Sequence, residues 1–68
     1  MTAPRAKDKA RVLRWLDRAH LAAVNAEQLA RAYDLPPHIA TRIGSLWYEA
    51  DTIRAAIEEV ETRGRPRG

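Results

Sequence analysis

Two adjacent prolines, Pro36 and Pro37, stand at the middle of a chain of 68 residues. Proline lacks an amide proton and its ring collides with the preceding turn, so a helix arriving from the N-terminal side cannot pass through the pair. Such a helix ends near Asp34. A new one can start at Pro36 or Pro37, because in the first turn the missing N–H is no loss. The chain is long enough for one domain, and cysteine is absent. Disulfides, thiolate metal sites and thiol chemistry are therefore excluded together. A domain of this size has roughly 3–5 kcal/mol of stability and leans on well-packed helices or on a partner.

From Lys7 to Ala23 the pattern is helical, with Val12, Leu16, Ala19 and Ala23 spaced four, three and four apart. Leu13 and His20 flank that apolar face. Asn25-Ala26-Glu27-Gln28 reads as a capping box, which predicts a break at Asn25 and a second helix from Ala26 to about Asp34. A third, short helix is expected from about Pro37 to Ile43 with Gly44 as its terminator. Gly44-Ser45 also suits a tight turn between Thr41-Arg42-Ile43 and Leu46-Trp47-Tyr48, so a miniature β-hairpin competes with the helix over residues 41–48. Ile53, Ala56, Ile57 and Val60 mark a last helix from about Glu49 to Thr62. The N-terminal residues run into charged side chains without an apolar stretch, and neither a signal peptide nor a membrane span is expected.

Twelve Lys and Arg against nine Asp and Glu give a net charge of +3. The charges are blocked along the chain: six basic and two acidic side chains in residues 1–18, one and five in 49–61, three and none in 62–68. At 100° per residue Lys7, Arg11, Arg14 and Arg18 fall within an arc of roughly 60° opposite the apolar stripe. They are candidate phosphate contacts. The acidic end of the last helix, Glu58, Glu59 and Glu61, instead repels phosphate.

Arg63-Gly64-Arg65-Pro66-Arg67 resembles the core of an AT-hook. Gly64 lets the backbone approach the floor of the minor groove, Pro66 holds the chain extended, and the arginines run along a narrow A/T-rich groove of enhanced negative potential. Residues 26–43 resemble a helix-turn-helix, with Leu29-Ala30 at the close crossing, Leu35 after the turn, and Ile39 and Ile43 facing inward. His38, Thr41 and Arg42 then face outward, where such side chains reach base edges in the major groove. Trp47, Asp51 and Ile53 resemble the end of the small winged-helix domains of the excisionase and MerR-like class. That resemblance implies DNA bending or regulation in a bacterial or phage setting.

The expected fold is all-α or mostly α: a helix-turn-helix bundle of three to four helices over residues 7–62, after a flexible N-terminus 1–6 and before a disordered AT-hook-like basic tail 63–68. A very short wing near 41–48 stays open. The expected function is that of a small cytoplasmic, nucleoid-associated protein binding double-stranded, A/T-rich DNA as a transcriptional regulator or architectural factor. The alternative is a protein-interaction module, a phage-type inhibitor or antirepressor, whose helices dock on a host protein. RNA binding comes third. A basic first helix and an acidic last one also permit a homodimer. No Ser/His/Asp arrangement or phosphate-binding glycine loop occurs, and His20 and His38 are too few for a metal site. No enzyme activity, cofactor, metal, small-molecule substrate or membrane partner is expected.

Overall fold

The computed structural model describes residues 3–63 as two long α-helices folded back on one another: α1, Ala6–Ala32, and α2, Pro37–Glu58. The prolines act where the sequence places them, with Pro36 as the N-cap of α2 and Pro37 at its first turn. The α1 helix ends at Tyr33 in a Schellman motif: the Leu35 amide donates to the Ala30 carbonyl at 2.9 Å and the Asp34 amide to Arg31 at 3.3 Å. This motif needs a left-handed residue, and Asp34 supplies it with φ 60°.

The bundle is all-helical, but it has two helices where three to four were expected. Asn25 does not break α1: it faces outward, and the alanines and leucine around it favour continuation. The predicted capping box is therefore buried in sequence within a single helix. Gly44 does not end a helix either. It lies inside α2, where the Glu27 carboxylate comes within 2.9 Å of the place a Cβ would take. Residues 41–48 are helical throughout, so no wing forms among the described residues. The two pieces matched to a helix-turn-helix are the last turns of α1 and the first turns of α2, lying antiparallel in one hairpin.

The seam between the helices follows a heptad pattern. On α1 it takes Lys9, Leu13, Leu16, His20, Ala23, Glu27 and Ala30, alternately four and three apart. On α2 it takes Ala40, Ile43, Trp47, Ala50, Arg54 and Ile57, alternately three and four apart. This spacing keeps one stripe of each helix facing the other over its whole length. Only alanines are buried in it: Ala23, Ala30, Ala40 and Ala50, with Ala40 fully enclosed at 0% exposure. Small side chains at these positions let the backbones approach closely. The seam is rotated from the predicted stripe: Leu16 and Ala23 belong to it, Val12 and Ala19 are exposed, and Leu13 and His20 join it.

Polar side chains lock the register. The Trp47 indole Nε1 donates to Glu27 Oε1 at 2.8 Å, and its ring meets His20 edge to face with centroids 5.4 Å apart. Arg54 donates from Nε to Asp17 at 2.6 Å and pairs with Glu58 as well. At the open end the Lys9 ammonium donates to the carbonyls of Glu58 and Val60, at 3.0 and 2.7 Å. A cation there satisfies carbonyls left over at the C-terminus of α2 and offsets the unfavourable acids beside them. Beyond it the Arg63 amide donates to the Pro4 carbonyl at 2.9 Å, which brings the two ends of the described chain side by side.

Candidate nucleic-acid interface

Lys7, Arg11, Arg14 and Arg18 lie on one edge of the hairpin, on the side of α1 that faces away from α2, and all four are exposed. The helix sets their spacing: eleven residues at 1.5 Å rise spread the four charges over about 16 Å. Arg11, Arg14, Trp15 and Arg18 together line a shallow groove. The Arg18 guanidinium sits 4.8 Å from the centroid of the Trp15 ring, which holds it against the helix surface. Trp15 itself is 63% exposed, so it is a surface platform, whereas Trp47 is half-buried in the seam.

The charges of this edge are uncompensated. The ion pairs among the described residues are Arg31 with Glu27 and Arg54 with Asp17 and Glu58, all of them at the seam. Asp17, the acid nearest the stripe's C-terminal end, is engaged by Arg54 on another side of α1. Arg54 is thereby held above its ordinary pKa, first by the hydrogen bond to Asp17 and then by Glu58. Glu58 is thus paired, and among the described residues Glu59 and Glu61 have no ion-pair partner.

The structure brings the stripe together with the start of the basic tail. Arg63 pairs with Arg5 in a single parallel β-bridge, at the open end of the hairpin where α1 begins. Gly64, Arg65, Pro66 and Arg67 lie outside the described residues. His38, Thr41 and Arg42 are exposed on the first turns of α2, beside the Asp34 turn, at the opposite end of the hairpin from Lys7. The structure therefore does not bring the two predicted DNA contacts onto one surface.

Sequence reasoning missed the polar cluster around Glu27. Its Oε2 accepts from the Arg31 guanidinium at 2.8 and 3.2 Å while Oε1 accepts from Trp47. These bonds, Trp47 first and Arg31 second, hold the Glu27 carboxyl below its ordinary pKa. The spacing of Glu27 and Arg31, four residues apart on one helix, was the local signal; the indole partner was not legible. Among the described residues no three His, Asp or Glu side chains gather into a metal site, and no helix is long and apolar enough to cross a membrane. No family model matches the chain, and comparisons with curated proteins and with solved structures return no match.

Proposed function

We propose that the protein binds double-stranded DNA through the outer edge of α1, with Lys7, Arg11, Arg14 and Arg18 on phosphates and residues 63–67 reaching from the same end into a neighbouring minor groove. The observation that carries this reading is the row of four exposed cations on one helix edge, none of them paired to a carboxylate among the described residues. Phosphate contacts of this kind supply position and affinity without sequence information. A duplex lying along the stripe does not reach His38, Thr41 and Arg42, so sequence preference in this reading comes from the tail and the width of the A/T-rich groove. A regulatory or architectural role fits that mode of binding. The competing reading, docking on another protein, draws on a different surface, the apolar side of the hairpin.

The test is a fluorescence anisotropy titration of duplex DNA at several salt concentrations. Affinity should fall steeply with salt, and an R11Q/R14Q/R18Q variant should flatten the slope of log K against log salt by about 2–3. An R65Q/R67Q variant should lose the preference for A/T-rich over G/C-rich duplex. Binding that is absent at low salt, or a slope unchanged in the triple variant, overturns the proposal.

A further inference from the structure

No side chain larger than alanine is buried within the hairpin. Large apolar side chains are present in number, but they sit outside the seam. On α2 they are Ile39, Leu46 and Ile53, each seven residues from the next, all exposed, with Leu46 at 61%, and the exposed Val60 follows just past the end of the helix. Seven residues are two helical turns, so the three form a straight row on one flank of the Ala40–Ile57 seam. Along α1 the exposed Val12 and Leu29, with Tyr33 at its C-cap, fall with Ala19, Ala22 and Ala26 on one flank of its seam, while the exposed Leu21 lies on the other.

The antiparallel arrangement puts these two flanks on the same side of the hairpin. Viewed from one end, α1 winds clockwise and α2 counter-clockwise. The residues one position before each α1 seam pair, such as Val12 and Ala19, therefore share a side with those one position before each α2 pair, such as Ile39 and Leu46. A shallow groove lined by Pro4, Asp8, Lys9, Val12, Ile57 and Val60 lies at the open end of this side. The opposite side carries the ion pairs of Asp17, Arg54 and Glu58 together with the exposed Leu21 and Tyr48.

We propose that the apolar side is the interface with a second copy of the chain, which completes a four-helix bundle with each α1 lying on the α2 of the other copy. The width of the stripe carries the first part. A two-helix coil needs two apolar positions per heptad, whereas a helix in a bundle needs three, and α2 supplies the third in Ile39, Leu46 and Ile53. The exposed fractions of the large apolar residues on this side other than Trp15, from 39% to 76%, correspond to on the order of 700 Å2, close to the share each partner gives to a standard-size interface.

Side-chain size selects the pairing. The contacts of Asp17 with Arg54 and of Lys9 with Glu58 show which residues share a level along the hairpin. By that register Leu46 of one copy stands over Ala22 and Ala26 of the other, a large side chain over small ones. Val60 stands by Val12, and Ile39 falls between Leu29 and Tyr33. The α1 edge with Lys7, Arg11, Arg14 and Arg18 stays outside this contact, so failure of either proposal leaves the other to be judged on its own.

The test is sedimentation equilibrium of the full chain across a concentration series, with far-UV circular dichroism melts at the same concentrations. The expected species has twice the 7.7 kDa chain mass, and its melting temperature should rise with concentration. Replacing Leu46, exposed in the single hairpin, in a L46E variant should weaken association by roughly 100-fold, the effect of losing a central hot-spot side chain. Oxidising an equimolar mixture of A22C and L46C chains should give mixed disulfide dimers in preference to A22C homodimers. A folded monomer at every concentration, with a melt independent of concentration, overturns the proposal. So does a L46E variant that remains dimeric, and A22C homodimers as the main product overturn the pairing. A stable monomer captured through this side by a different protein counts against the second copy as well.

Discussion

The indole Nε1 of Trp47 donates a 2.8 Å hydrogen bond to Oε1 of Glu27, joining the middle of α2 to the last turns of α1. The bond holds one polar pair at fixed register in a seam that otherwise depends on alanine.

Acid should break this tie. Because Trp47 and then Arg31 stabilise the ionised Glu27, its folded pKa lies below the ordinary value of a glutamate carboxyl. A group depressed on folding contributes stability that is present above its unfolded pKa and lost as pH falls through the folded one. The expected outcome is a melting temperature that is flat from neutral pH down to about 5 and falls below that, beside a shift of the Trp47 indole proton resonance over the same acid range. In an E27Q variant the indole resonance should no longer follow that titration. An indole resonance of the parent that stays constant to pH 2.5 would show that the bond is not formed in solution.

Gly44 and Glu27 should show coupled substitution effects. Alanine at an interior helical position is favoured over glycine by about 1 kcal/mol, but the new Cβ would stand 2.9 Å from the Glu27 carboxyl carbon and oxygens. A G44A variant should therefore gain clearly less than that amount, and its Trp47 indole resonance should move as the carboxylate is displaced. In an E27A background the same change should give the full gain of about 1 kcal/mol. Equal effects in the two backgrounds, measured by chemical denaturation, would refute the contact.

Asp34 carries the left-handed turn with a side chain that glycine would spare. A D34G variant should be more stable by about 0.5–1 kcal/mol, with a melting temperature higher by roughly 2–8 °C, and a D34A variant should be less stable. A D34G melting temperature below that of the parent would mean that the Asp34 side chain supports the turn.

The sequence disclosed the elements better than their lengths. Pro36-Pro37 marked the boundary, Pro37 took the first turn of α2 as expected, and the arc of Lys7, Arg11, Arg14 and Arg18 emerged on the outside of α1. Asn25 and Gly44 misled because both are local signals, while continuation is decided across the seam. The reason for glycine at 44 is a carboxylate seventeen positions earlier on the other helix. The core stripe was misplaced for a related reason. His20, Glu27 and Arg54 occupy seam positions, whereas Val12 and Leu46 do not, so hydrophobicity along either helix points between the seam and the open apolar side. Of the candidate site, the α1 edge was legible from periodicity alone. The separation of His38, Thr41 and Arg42 from it was not, because it depends on how the chain folds back at Asp34.

The tie between Pro4 and Arg63 also fixes how the hairpin bears load. Force applied through the two termini enters at one end and acts across the helix axes rather than along them, so the hairpin opens as a zip. The Pro4–Arg63 tie is strained first, then Lys9, then the Asp17–Arg54 pair, then Glu27–Trp47, and the Asp34 turn last. Contacts loaded one after another cannot share the burden, and the chain yields to tension at its ends far more readily than the same helices would yield to sliding.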